Sequence, residues 1–242
     1  MFRPIRTAFS LVVIALALTV SPHVLAQAHS DIEGSVIGGK LVADEANSRP
    51  VAFTTGYKIY EGDFGDVSGG LLKTDDPGFV VPDGTFLSGQ QLWYNAIDTL
   101  SFWDGTAWGA APNDITLMLE DALGSNTLIT AGGITNPYGA IDAADSGGGI
   151  HSHIDFSISD LNPVGSYLAT LQLTSRDASG NLPSPYLDSD PFLIVFNNGL
   201  SSAEFETSVM ALAVPEPQTY AMLLVGLVLM GYMARRRQGM VS

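Results

Sequence analysis

Two histidines separated by one residue are the part of this chain best equipped for chemistry. They lie in the run His151-Ser152-His153-Ile154-Asp155, inside an apolar, β-branched stretch that predicts a strand over 150–158. Strand side chains alternate between faces, so His151, His153 and Asp155 are expected on one face. Ile150, Ile154, Phe156 and Ile158 then turn to the core. Two imidazoles at that spacing lie within about 7 Å of each other along the chain, close enough to share one metal ion. Imidazole suits zinc, copper and nickel, and Asp155 would serve as a third ligand or as the hydrogen-bond partner of a ligating imidazole. Ser152 faces away from both histidines and makes a poor nucleophile.

A third imidazole, His29, precedes this pair. Should signal cleavage follow Ala28, His29 becomes the first residue of the mature chain. Its α-amine and imidazole could then chelate a metal together, with Asp31 on the same side of an extended segment. A terminal histidine joined to an internal pair is also the ligand set of the copper histidine brace in oxidative polysaccharide enzymes, an analogy of spacing alone. Should cleavage follow Ala26, His29 is an ordinary imidazole near the terminus.

Other constellations are thinner. Glu61-Gly62-Asp63-Phe64-Gly65-Asp66, with Asp75-Asp76 behind it, interleaves glycine and carboxylate as a calcium loop does. It does not follow the EF-hand register, and a solvated acidic loop is the better reading. No Gly-x-Ser-x-Gly elbow occurs, and nothing singles out a glycosidase pair among the many carboxylates. The chain therefore reads as a binding protein rather than an enzyme. Trp93, Tyr94, Trp103 and Trp108 could stack on sugars of an extracellular polysaccharide, although core packing is the commoner use of such aromatics.

The elements that must position these groups read as β throughout. Apolar runs of five to ten residues recur between Gly, Pro, Asn and Asp clusters, with candidates at 51–60, 99–103, 115–120, 127–130, 150–158, 165–174, 192–196 and 205–213. Tyr167, Ala169, Leu171 and Leu173 alternate with Thr170, Gln172 and Thr174, the pattern of a strand with one wet face. Long loops are expected at 61–78 and 135–149. No βαβ spacing appears, so the expected fold is all-β, a single β-sandwich (Ig-like or jelly-roll-like).

The ends of the chain belong to targeting. Arg3 and Arg6, an apolar run over 8–20, Pro22 and the small-residue sites before Gln27 and His29 form a secretory signal peptide over 1–28, cut by signal peptidase. The body is then 29–213. It keeps five basic and 24 acidic residues, a net charge of 5 − 24 = −19 that repels nucleic acid and anionic headgroups. Cysteine is absent, which removes disulfides, thiolate catalysis and sulfur-ligated zinc fingers.

Over 214–242 the chain reads Val214-Pro215-Glu216-Pro217, an apolar stretch of 15 residues over 220–234, then Arg235-Arg236-Arg237. An apolar segment closed by arginines is a membrane stop with its basic end in the cytoplasm, here at the short end of the ~20 residues a bilayer needs. In order and spacing this tail resembles the PEP-CTERM sorting signal. The resemblance implies export, anchoring in the inner membrane by a transmembrane helix, and processing by an exosortase toward the cell surface or extracellular matrix.

The body carries a resemblance of its own. Gly62-Asp63-Phe64-Gly65-Asp66, Thr74-Asp75-Asp76-Pro77-Gly78-Phe79, Leu100-Ser101-Phe102-Trp103-Asp104-Gly105-Thr106, His151-Ser152-His153-Ile154-Asp155-Phe156 and Ser189-Asp190-Pro191-Phe192-Leu193-Ile194-Val195-Phe196-Asn197 resemble PEP-CTERM proteins whose genes are repressed by the zinc-uptake regulator. The stretch 151–196 is also similar to actinobacterial surface-anchored domains found beside metal-type ABC transporters. The resemblance implies zinc capture during zinc limitation, with His29, His151 and His153 as ligands. A structural or adhesive matrix protein without metal is the alternative, and a copper-dependent oxidative enzyme using His29 is a third reading.

Overall fold

The computed structural model describes residues 31–43, 49–65, 72–159 and 163–213, and residues 226, 227 and 230 of the tail. His29, the signal peptide and nearly all of the apolar stretch 220–234 lie outside the described residues. In chain order the strands are β1 (Ile32–Ile37), β2 (Lys40–Ala43), β3 (Lys58–Asp63), β4 (Lys73–Thr74), β5 (Phe79–Val81), β6 (Gln91–Ala96), β7 (Ser101–Trp103), β8 (Trp108–Ala110), β9 (Leu117–Glu120), β10 (Asn126–Thr130), β11 (Gly133–Thr135), β12 (Tyr138–Ala143), β13 (Ile150–Ser152), β14 (Asp155–Ile158), β15 (Gly165–Arg176) and β16 (Phe192–Asn198). The helix α1 (Ser202–Ala213) follows them. The fold is all-β, as its alternating apolar runs predict.

Among the described residues the strands form three sheets. One runs β13-β5-β1-β2, a second β11-β10-β9-β14-β4, and the third β12-β6-β15-β16-β3 with β7 and β8 attached through β15. Pairing is mostly antiparallel, but β1–β5 and β3–β16 are parallel. These two pairs join strands far apart in sequence, so no βαβ unit is needed to make them.

A single large core draws on all three sheets, with Ile32, Phe79, Tyr94, Leu119, Phe156, Leu171 and Phe196 fully or almost fully buried within it. The central strand β15 supplies Tyr167, Ala169, Leu171 and Leu173 from its inner face. Leu168, on its other face, packs with Ile59, Leu193 and Val195 beneath Phe205 and Val209 of α1. The two faces of one alternating strand thus feed two separate apolar clusters.

Three expectations are corrected. Residues 205–213, a strand candidate, belong to α1. Phe205, Val209 and Leu212 fall at helical spacing, and Ser201 with Glu204 forms a capping box at the start. Ser201 donates from its amide and hydroxyl to Glu204 Oε2 at 3.0 and 2.6 Å, and the Glu204 amide reaches back to Ser201 Oγ at 3.4 Å. Those hydroxyl and amide bonds hold the Glu204 carboxyl below its ordinary range.

The expected loops at 61–78 and 135–149 also contain strands: the end of β3, β4, and all of β12. Finally, 150–158 is not one strand. It breaks at His153-Ile154, with β13 pairing β5 in one sheet and β14 pairing β9 and β4 in another.

The strand β6 had no clear sequence signal, although its residues alternate half-buried and buried throughout. Its Gln91, Trp93 and Asn95 face outward, and Tyr94 turns into the core. Tyr94 donates its hydroxyl to Thr127 Oγ1 at 3.0 Å. Burial pushes the phenol up to about 12, the Thr127 bond opposing that rise and the charge of Asp121 adding to it. A folded-state value above the unfolded value of ~10 means stability is intact below pH ~10 and is lost as pH rises through about 12. Denaturant titrations should therefore show a loss of stability over that alkaline window. Tyr94→Phe should reduce that loss without abolishing it, because burial also pushes the Tyr167 phenol up to about 12, and should cost about 1 kcal/mol at neutral pH through the missing hydrogen bond. An unchanged alkaline slope in the variant would show that Tyr94 does not contribute to it.

Candidate metal centre

The centre is built where three strands of the smallest sheet start or end together. Strand β5 lies between β1, its parallel neighbour, and β13, its antiparallel one. Phe79 and Val81 of β5 are buried and Val80 is half-buried, so residues 78 and 80 belong to the outer face. His151 sits directly opposite Val80. Asp31 immediately precedes β1, whose Ile32 amide donates to the Gly78 carbonyl at 2.8 Å. His153 follows β13 and lies across from the same glycine.

Gly78 allows this convergence. A Cβ there would stand 2.7 Å from His153 Nε2 and 2.8 Å from Asp31 Oδ1. A side chain there would push both groups outward; without one they close over the bare backbone. Gly62 of β3 also leaves room for a close approach. A Cβ on it would lie 2.6 Å from the Asp76 carbonyl oxygen, so glycine lets the Asp76 backbone pack against β3.

Ligand atoms of Asp31, His151 and His153 all lie within 4.8 Å of one another. His151 Nε2 is 3.4 Å from Asp31 Oδ2, and the two imidazole rings are 5.5 Å apart between centroids. Asp75, Asp76 and His153 make a second group within the same limit. His153 Nδ1 lies 2.9 Å from the Asp75 carbonyl oxygen and 3.6 Å from Asp76 Oδ1. A carbonyl can only accept, so Nδ1 carries the proton in the neutral ring and Nε2 the lone pair. That tautomer aims the donor atom of His153 at Asp31 and His151, not at Asp75 and Asp76. The first group is the better ligand set, and the second orients it, as carboxylates and carbonyls beside ligating histidines commonly do.

The donor types fit a borderline metal. Two neutral imidazoles and one carboxylate match zinc chemistry, whose ligands at ~2.1 Å from the ion stand ~3.4 Å apart in a tetrahedron. His151 and Asp31 already have that separation. The site is accessible, with the His151 side chain 68% and the His153 side chain 34% exposed. Three ligands leave one position open, the arrangement of an exchangeable or catalytic ion rather than a closed structural one.

Of the residues singled out in the sequence, the structure brings His151 and His153 together. Asp155 starts β14, opposite Glu120, and lies beyond the strand break, outside both groups. Its expected place on a shared face assumed a continuous strand. Asp31 takes the carboxylate position, from the residue just before β1, over 100 residues away in sequence. Asp75 and Asp76, read as part of a solvated acidic loop, flank His153. The remaining acids of that loop divide: Glu61 and Asp63 lie in β3, and Asp66 is outside the described residues.

The aromatic candidates serve packing. Tyr94 is fully buried and Trp103 nearly so. Trp108 donates its Nε1–H to the Ser208 carbonyl of α1 at 2.9 Å, and Trp93 lies under Arg176, whose guanidinium carbon is 3.8 Å from the ring centroid.

With this geometry in place, comparison with known proteins adds one finding. Residues 213–238 match the family model of the PEP-CTERM protein-sorting motif. The motif marks an exported protein that an exosortase processes for the cell surface. Neither the curated proteins nor the solved structures yielded a match. Among the described residues no helix is long and apolar enough to cross a membrane, and the stretch 220–234 lies almost wholly outside them.

Proposed function

We propose that this is a surface-sorted zinc-capture protein, with Asp31, His151 and His153 as its ligands and the open position filled by water or by His29. The observation that carries this reading is the convergence of two imidazoles and a carboxylate over Gly78, with one imidazole held in the ligating tautomer by a backbone carbonyl. His29 stands two residues before Asp31, a reach of at most ~7 Å of extended chain. The exposed rim suits an ion that is taken up and passed on, consistent with use when zinc is scarce. The ion itself supplies a Lewis-acidic centre; the protein's part is to hold neutral imidazoles and a carboxylate ready for it. Asp155 is left out of this ligand set.

The body, on this reading, is one β-sandwich whose second layer is split into two smaller sheets. The metal centre sits at the split, where the β13–β14 chain changes sheets. The tail anchors the precursor in the inner membrane through 220–234, with Arg235, Arg236 and Arg237 on the cytoplasmic side, until the exosortase removes it near Pro215–Pro217.

Elemental analysis of the full chain, purified without a polyhistidine tag, tests the metal assignment. About one equivalent of zinc is expected, and a metal content indistinguishable from that of an acidic control protein would remove it. An epitope placed after Ser242 tests the processing. It should be lost from the surface form in a host that has an exosortase, and its retention there would refute the sorting assignment.

A further inference from the structure

The tautomer of His153 depends on one backbone carbonyl, and the orientation of that carbonyl has a support of its own. Thr74 ends β4, opposite Phe156 of β14, and is 1% exposed. Its hydroxyl oxygen accepts from the Asp76 amide at 3.1 Å. The hydroxyl proton turns to the Asp76 carbonyl oxygen at 3.4 Å, a longer contact. A threonine hydroxyl that accepts from the amide two residues on replaces a ladder bond with a local turn. The run Thr74-Asp75-Asp76 therefore leaves the strand at its threonine, with Asp75 at the corner.

The Asp76 amide and the Asp75 carbonyl belong to the same peptide group. That group is planar and trans, so its N–H and C=O point in opposite directions. Thr74 Oγ1 holds the N–H end, and the C=O end meets His153 Nδ1 at 2.9 Å. Fixing one end fixes the other. Turned over, the same peptide group would present its N–H to the imidazole. Nδ1 would then have to accept, and Nε2 would carry the proton. The lone pair now aimed at Asp31 and His151 would be lost. The nearby carboxylate is no substitute, since Asp76 Oδ1 stands 3.6 Å from Nδ1, too far for a hydrogen bond.

We propose that Thr74 is a positioning residue of the metal centre. Its buried hydroxyl locks the Asp75–Asp76 peptide group, and through it keeps the Nε2 of His153 unprotonated toward Asp31 and His151. Thr74 acts only through the peptide group and the imidazole. The proposal rests on the zinc-capture reading for its effect on affinity. Its effect on the imidazole belongs to the metal-free protein and does not need that reading.

Valine has nearly the shape of threonine without the hydroxyl, and serine keeps the hydroxyl without the methyl, so T74V and T74S separate the lock from packing. The full chain, labelled with 15N at histidine and held in detergent, is observed without metal at about pH 8, where an imidazole with the ordinary pKa of ~6.5 is neutral. The protonated and unprotonated ring nitrogens have well-separated 15N shifts, and the signals missing from H153Q identify His153. Wild type and T74S should show His153 protonated at Nδ1, and T74V should move toward protonation at Nε2. Zinc affinity measured by isothermal titration should fall ~10–100-fold in T74V, the range for groups that orient a ligand, and recover in T74S. Two measurements on wild type hold even where T74V fails to fold. His153 protonated at Nε2, or an Asp76 amide that exchanges its hydrogen as fast as an open loop, overturns the proposal. A folded T74V with an unchanged tautomer, or with a changed tautomer and wild-type affinity, also overturns it. A loss of affinity that T74S shares assigns Thr74 to packing and overturns it as well. A tautomer that follows Thr74 in a wild-type chain that binds no zinc leaves the lock standing and overturns zinc capture.

Discussion

Replacing His151 and His153 together by Ala should remove saturable zinc binding from the full chain. Each single replacement should lower affinity by more than the ~100-fold that changes beyond the ligand shell cost. The reason is chelation: with one imidazole gone, the other and Asp31 are left as a two-point contact on an exposed edge, competing with water. Asp31→Asn should weaken binding by removing the only charge among the three donors. Asp155→Asn, beyond the strand break, should leave it unchanged. Acidification should release the ion, because only the neutral imidazole ligates. Isothermal titration of wild type and double variant at matched ionic strength gives the decision. Equal, weak heats from both would place any metal uptake on the acidic surface at large. The structural or adhesive reading would then stand in place of zinc capture.

Gly78→Ala should reduce metal affinity nearly as much as losing a ligand, without touching any ligand. The added Cβ would fall 2.6 Å from His153 Cε1 and 2.8 Å from Asp31 Oδ1, well inside contact distance, so both groups must move outward. The backbone at Gly78 is not in the left-handed region, so no dihedral penalty comes with the change. Relief is cheap for the fold, because the site lies at an exposed rim, and costly for the site, because its donors are spread apart. Thermal unfolding of the metal-free protein should shift little while zinc affinity falls. A variant with wild-type affinity would show that the donors do not need their closeness over Gly78. A variant that unfolds early would give Gly78 a role in the β1–β5 pairing instead.

Much of the destination and the fold class is written locally in this chain. Pro215, Glu216 and Pro217, the apolar stretch and three arginines identify the sorting motif without any tertiary information, since its reader meets it as a linear segment. The all-β class follows from alternation in strands such as β15, whose inward residues the core accepts in the expected order. The His151–His153 pair is visible because the ligand types are rare here and close in sequence. The helix α1 also had its local sign in Ser201 and Glu204, which apolar residues downstream obscured.

The completion of the site was decided by tertiary structure. Asp31 reaches His151 only because β1 and β13 flank the same strand, and parallel pairing between β1 and β5 leaves no local trace in sequence. The break at His153-Ile154 is likewise nonlocal: the pattern of alternating residues continues through it, but the flanking strands find partners in different sheets. With β13 pairing β5 and β14 pairing β9, it is Asp31 and not Asp155 whose ligand atom falls within 4.8 Å of both imidazoles. Gly78 ends the loop expected over 61–78, next to Pro77. Its requirement for a missing side chain exists only once two strands bring an imidazole and a carboxylate over it.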